Sequence, residues 1–396
     1  MSAAPAFEYD PYSYELDEDP YPAYRSMQDH APVYYSEKHD FYALTRYQDC
    51  LDALMDFETY SSAYGTVLEL MHGKPFEAPM IIFMDPPRQT RVRNLVSKAF
   101  TPRQIARLEP EIRRIAARYL DRLVGAGEAD FVKEFTAKLP MDVISTLLGI
   151  PEAERDRVRT ASNAMLHREP GNPLPPPSGL QAMVELMKYF DGAIAERRAR
   201  PRDDIMSLLM AAELENEDGT RERLDDVELR AFFNLLAAAG NETVTKLLAT
   251  VFYWLGQLPD QRELLVKDPS LIPNAVEEFL RFDPPSHYQG RTLTQPVSLH
   301  GVTMPEGARV AVINGASGRD PRQFQDPDRL DVRREIELHL GFGFGRHICL
   351  GASLARLESR IALEEFLKRF PAYRVAGLER MHSSNVRGLS GLTLRY

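Results

Sequence analysis

The chain has 396 residues, 44% of them hydrophobic and 27% charged, with a formal net charge of −10. A chain of this size buries a large core, and its acidic balance argues against general nucleic-acid binding. Two cysteines, Cys50 and Cys349, argue against a disulfide framework and for a reducing compartment, and the N-terminal Met1-Ser-Ala-Ala-Pro-Ala-Phe lacks the apolar run and positive charge of a signal peptide or membrane anchor.

Residues 33–47 read as a β-hairpin, with aromatic and β-branched residues on either side of a polar turn. Tyr64–Met71 and the run Met80-Ile81-Ile82-Phe83 are apolar in the way of ordinary core. Helical periodicity follows near 103–124, 180–199, 225–256, 259–267 and 352–369, with Pro151, Pro201 and Pro269 punctuating helix ends. Within 101–122, Arg103, Arg107, Arg113, Arg114, Arg118 and Arg122 face only Glu109, Glu111 and Asp121, a basic stretch in an acidic chain. Gly171-Asn-Pro-Leu-Pro-Pro-Pro-Ser-Gly179 reads as a stiff loop. Short strands recur over 296–313, around Gly301 and the Pro305-Glu306-Gly307 turn, and again from Ala372. There is no internal repeat.

Three stretches carry chemistry. The first is Leu340-Gly341-Phe342-Gly343-Phe344-Gly345-Arg346-His347-Ile348-Cys349-Leu350-Gly351. So many glycines make a poor strand and a worse helix, and they suit a backbone that bends tightly or approaches a flat ligand. A helical pattern begins just beyond, placing Cys349 near a helix N-terminus, where N–H groups favour a thiolate. Such a thiolate suits an axial ligand of haem iron. A zinc site is disfavoured, because Cys50 is the only other cysteine.

The second stretch is Leu236-Ala-Ala-Ala239-Gly240-Asn241-Glu242-Thr243-Val244, inside the long 225–258 helical pattern that Asp225 and Asp226 are placed to cap. A mid-helix glycine costs about 1 kcal/mol against alanine, and threonine can bond back to an earlier carbonyl. Together they are expected to weaken and open the helix while presenting a hydroxyl and a carboxylate. The third is Glu278-Phe-Leu-Arg281, whose charged ends share a helix face and can pair.

The loop Phe342-Gly-x-Gly-x-His-x-Cys349-x-Gly351 resembles the haem-binding loop of the cytochrome P450 family. Residues 239–243 resemble that family's oxygen-activation motif, and Glu278-x-x-Arg281 its Glu-x-x-Arg element. The resemblance covers roughly residue 15 to the end and is to the soluble, bacterial type. It implies one catalytic domain over 1–396, mainly α with small β-sheets: a triangular α-helical prism plus a small β lobe. It implies haem b ligated by Cys349, with Phe342, Gly343 and Gly351 in the loop. Propionate contacts fall on Arg93, Arg291 and His347, and on Gln89 where the family's usual histidine is replaced. Ala239, Gly240, Glu242 and Thr243 become the oxygen and proton machinery. Glu278 and Arg281, with Arg329 as third partner, become a structural network beneath the loop.

The resemblance further implies insertion of one atom of dioxygen into a C–H bond, or epoxidation, of an apolar molecule such as a terpenoid, steroid, fatty acid or polyketide. Electrons come from a separate ferredoxin and its reductase, with NAD(P)H acting only through them. The basic 101–122 stretch is then a docking face for an acidic ferredoxin, and 171–179 a lid over the active site. Val67, Leu68, Met71, Ile82, Leu236, His287, Gln289 and Leu389 line the pocket by this match, and strand alternation sets His287 and Gln289 on the side of Arg291, His287 as a polar anchor. A cytoplasmic monomer without a membrane span is expected. A peroxide-driven haem-thiolate enzyme and a non-catalytic haem sensor are the rival readings, and retention of Glu242 and Thr243 weighs against both.

Overall fold

A computed structural model describes residues 8–166, 176–215 and 219–396. Most of the Pro-rich stretch, and with it the expected lid, lies outside the described residues; Pro176–Gly179 open the Pro177–Ala199 helix, where proline fits the first turn. The fold is mainly α with small β-sheets. Contacts divide the chain into two compact units, Met1–Phe76 with Thr250–Cys349 and Leu378–Ser390, and Glu77–Ala249 with Leu350–Gly377 and Gly391–Tyr396.

The first unit is built on a five-stranded sheet. The expected hairpin forms from Val33–Ser36 and Phe41–Leu44, in the register Val33↔Leu44 and Ser36↔Phe41. Arg309–Val312 runs parallel to Phe41–Leu44 and antiparallel to Gln289–Leu293, which pairs in turn with Tyr60–Ser61. Side chains alternate between two cores, as the pleat requires. Tyr34, Ala43 and Ala311 join Tyr9, Tyr21, Tyr24, Met27 and Tyr288 on one side. Val33, Leu44, Val310 and Val312 join Tyr47, Cys50, Leu54 and Leu293 on the other. The strands expected around Gly301 pair as Val297–Leu299 with Val302–Met304. The Ile272–Phe282 helix is buried along most of its length and carries the Glu278–Arg281 pair.

The second unit is helical. The expected 103–124 helix is two, Pro102–Ala106 and Glu109–Asp121, because Pro110 lacks the N–H that would continue the preceding turn. Helices at Arg88–Ser97, Leu139–Leu147, Glu152–Leu166 and Ile205–Ala211 carry signals too short or too mixed for the periodicity to register. The Asp226–Gln257 helix begins at a reciprocal capping box: the Glu228 N–H donates to Asp225 Oδ1 (2.8 Å) and the Asp225 N–H to Glu228 Oε2 (3.2 Å). Far along the chain, Thr393, Leu394 and Arg395 pair with Asp130, Ala129 and Glu128, closing Phe131 among Phe366, Phe370 and Tyr396.

Gly240 does not open the Asp226–Gln257 helix, which runs unbroken through it. A Cβ at Gly240 would stand 2.7 Å from Ile144 Cγ1. The glycine is there for close approach of the Leu139–Leu147 helix, and the expectation of a local break is corrected.

Candidate haem-thiolate site

In the first unit, Cys349 lies on the loop after the Gly345–His347 turn, two residues before Gly351, the N-cap of the Ala352–Arg369 helix. Its N–H donates to the Phe342 carbonyl (3.0 Å), which folds the loop back on itself. Gly343 and Gly345 take the left-handed backbone, φ +67° and +68°. A Cβ on Gly343 would meet Gln289 Nε2 at 2.4 Å, and one on Gly345 would meet the Leu54 carbonyl at 2.5 Å. The glycines therefore press the loop onto the Gln289–Leu293 strand and the Tyr47–Met55 helix while Cys349 stays exposed. Cys50 is the opposite case. It is buried, donates to the Leu44 carbonyl (3.3 Å), and burial pushes its thiol well up.

Gln289 and Arg291 alternate to one side of their strand, as expected. Gln289 lies against Gly343, and its Oε1 accepts from Arg291 Nη2 (3.0 Å). Arg291 is 3% exposed and also donates to the Gly290 carbonyl (2.7 Å). An exposed thiol on a tightly folded loop, with a buried guanidinium and an amide on the adjoining strand, fits a thiolate-ligated porphyrin bearing carboxylates.

His287 departs from expectation. It precedes the strand, so the alternation does not reach it. Its Nδ1 lies 2.9 Å from the Tyr24 hydroxyl, and its Nε2 3.8 Å from Asp283 Oδ1. Asp283 also accepts from Tyr21 (2.8 Å), Trp254 (2.9 Å) and Arg387 (3.0 Å). Burial, aided by Arg387 and Arg319 and opposed by Asp283, pushes the His287 imidazole down to about 4. It belongs to a buried network with Tyr24 and Asp283, set before the strand rather than on the side of Arg291. Tyr288, which carried no sequence signal, accepts the Leu68 N–H at its hydroxyl (3.1 Å) and meets Ser384 (3.3 Å).

Of the other pocket residues, Leu68, Met71 and Leu389 are buried, the first two within the tyrosine-rich core. Val67, Gln289, Ile82 and Leu236 are half-buried. Glu278 and Arg281 form a fully buried bidentate pair (2.7 and 2.8 Å). Arg281 also donates to the carbonyls of Gly318 (2.6 Å), Pro327 (2.8 Å) and Arg329 (3.3 Å). The third partner is thus not the Arg329 side chain, which is 68% exposed and 3.9 Å from Asp331. Arg334 takes that place, with Nε 3.2 Å from Glu278 Oε1.

In the second unit, Gln89 is buried and Arg93 half-buried on the Arg88–Ser97 helix. The Thr243 hydroxyl donates to the Ala239 carbonyl (2.9 Å), and Glu242 Oε1 is 2.9 Å from Lys246 Nζ. Thr245 anchors the same turn by donating to the Thr136 carbonyl (3.0 Å). The basic stretch is largely neutralised. Arg113 pairs with Glu109, Glu364 and Glu365, Arg114 with Glu111, and Arg118 with Asp142.

A mainly helical fold carrying an exposed thiol on a glycine-bent loop has the features that a haem-thiolate protein requires. The chain belongs to the cytochrome P450 family, whose profile matches residues 178–375. It is similar to the putative cytochrome P450 123 of Mycobacterium tuberculosis, 43% identical over 395 residues, covering 98% of this chain and 97% of that one. Among solved structures it is similar to cytochrome P450 CYP109Q5 from Chondromyces apiculatus, at 33% identity and TM-score 0.90, covering 98% of each chain. It is also similar to CYP109E1 from Bacillus megaterium in complex with corticosterone, at 32% identity and TM-score 0.86, covering 96% of this chain and 99% of that one. The family makes the protein a cytochrome P450 monooxygenase with a haem cofactor. Among the described residues, no helix is long and apolar enough to cross a membrane.

Proposed function

We propose that the chain acts as one catalytic domain that inserts a single oxygen atom from dioxygen into a C–H or C=C bond of a large apolar molecule, with a steroid as the first class to try. Electrons come singly from a ferredoxin served by an NAD(P)H-dependent reductase. The likeness to CYP109E1, solved with corticosterone, supports the substrate class. The observation that carries the reading is the exposed Cys349 on its folded loop. Cys349 would ligate the iron of haem b through its thiolate. Arg291, His347 and Arg93 would hold the propionates, with Gln89 and Gln289 donating neutral hydrogen bonds. The bound haem would supply dioxygen activation, chemistry that a thiolate ligand favours.

The chain's own groups do the rest. Glu242 takes protons from solvent and Thr243 passes them on, a general-acid role. Val67, Ile82 and Leu236 offer half-buried apolar surface to the substrate. Ferredoxin docking rests on the arginines left outside the ion-pair network, Arg103, Arg107 and Arg122. The reduced carbon-monoxide complex is expected to show the strongly red-shifted Soret band of thiolate ligation, and Cys349→His is expected to abolish it. Persistence of the band in that variant overturns the assignment. Turnover with peroxide but none with reduced ferredoxin favours the peroxygenase reading.

A further inference from the structure

From Ala231 to Gln257 the long helix carries just two charged side chains, Glu242 and Lys246. They stand four residues apart, on one face, with Nζ and Oε1 2.9 Å apart. The lysine is the more enclosed partner, its side chain 6% exposed against 21% for the glutamate. An enclosed ammonium within a stretch of helix that carries no other charge than Glu242 is costly unless it meets a carboxylate. An ordinary surface pair of this spacing contributes only a few tenths of a kcal/mol. This one is held where solvent screens it poorly. Glu242 is therefore drawn along the helix towards the turn that follows it. Thr243, about 100° further round the helix, keeps its hydroxyl on the Ala239 carbonyl (2.9 Å). Neither relay group is engaged with the other.

We infer that Lys246 is a positioning residue of the proton relay: its ammonium tethers the Glu242 carboxylate, and each proton is delivered when that carboxylate leaves Lys246 for the Thr243 hydroxyl and returns. The inference rests on the reading of Glu242 and Thr243 as the relay. The cycle balances in protons. Glu242, partly exposed, takes one proton from solvent and gives it to the Thr243 oxygen. Thr243 releases its own hydroxyl proton forward, and the carboxylate returns ionised to Lys246. Lysine has three donors and no acceptor, so it orients the carboxylate without relaying the proton.

The test uses the haem-loaded full chain supplied with electrons by a plant-type ferredoxin and its reductase, without substrate. Dioxygen consumed and hydrogen peroxide released are measured in H2O and D2O for wild type, Lys246→Met, Lys246→Arg, Glu242→Gln and Thr243→Ala. Lys246→Met is expected to change the peroxide-to-dioxygen ratio and the solvent isotope effect by at least about threefold, a small part of the roughly 10²–10⁴-fold general acids supply. Lys246→Arg, which keeps the charge, is expected to stay near wild type. Lys246→Gln gives the same comparison with a polar stem if the methionine variant does not accumulate. A second readout does not depend on turnover: thermal midpoints of Glu242→Gln, Lys246→Met and the double variant are expected to be non-additive, as coupled neighbours are. If Lys246→Met matches wild type while Glu242→Gln and Thr243→Ala do not, the tether is wrong and the relay stands. If all four match wild type, the relay reading fails and the tether with it. Additive thermal midpoints overturn the tether on their own.

Discussion

Arg329 and Arg334 lie five residues apart, yet their removal should differ by a wide margin. Arg334 Nε donates to Glu278 Oε1 (3.2 Å), and its other nitrogens donate to the carbonyls of Gln325 (2.6 Å), Asp326 (3.1 Å) and Arg329 (3.0 Å). Its side chain is 14% exposed and its partner Glu278 fully buried. A hydrogen bond to a charged group contributes about 1.5–3 kcal/mol, so Arg334→Ala is expected to cost about 2–4 kcal/mol once the weaker carbonyl bonds are added. Arg329 contributes its carbonyl to Arg281, which alanine keeps. Its guanidinium is an exposed, loosely paired group worth about 0–1 kcal/mol. Breaking the central pair with Arg281→Met is expected to cost about 3–5 kcal/mol, a large share of the roughly 5–15 kcal/mol that holds a domain folded. Urea unfolding of the holoprotein, followed by Trp254 fluorescence and by haem absorbance, gives all three values. Equal losses at Arg329 and Arg334, or a larger loss at Arg329, would refute the placement of the third partner.

Gly240→Ala is expected to lower the thermal midpoint although alanine gains about 1 kcal/mol of helix propensity, because its Cβ collides with Ile144; Ile144→Ala in the same chain should restore part of the loss, and a rise in midpoint from Gly240→Ala alone would show that the contact is not tight. His287 sets an acid limit. Its folded value of about 4 lies below the ordinary 6.5, so the unfolded chain binds a proton that the folded chain refuses. Stability is full above pH 6.5 and falls as pH drops towards 4, by about 3 kcal/mol at most. Urea midpoints across that window should be flatter for His287→Gln, and an unchanged slope would remove His287 as the cause.

Much of this was open to view in the order of residues. The loop around Cys349, the Glu278–Arg281 spacing and the 33–47 hairpin are local patterns whose geometry follows from nearby residues alone. What stayed hidden depends on chain arriving from elsewhere. Arg113 reads as a free cation until Glu364 and Glu365 meet it. His287 reads as strand until the backbone shows that pairing starts at Gln289. Choosing between Arg329 and Arg334 requires the path of the 326–334 turn, because one contributes a carbonyl and the other a side chain. Gly240 stands out in the order of residues but its reason does not, since Ile144 lies almost a hundred residues away. Lys246 had a usable signal, a Glu-to-Lys step of four followed by Leu247, Leu248 and Ala249.

The unequal thiols, one exposed and one buried, offer a gauge of loading if Cys349 holds the iron as proposed. On that proposal an alkylating reagent is expected to reach Cys349 in chains stripped of the prosthetic group and to find it blocked once the sulfur is committed to iron. Cys50, sealed in the core with its proton held tightly, reacts only when the sheet comes apart. Counting adducts by intact-mass spectrometry is then expected to sort a preparation molecule by molecule: none for loaded, one for empty, two for unfolded. Occupancy can then be followed in turbid or coloured samples where absorbance fails.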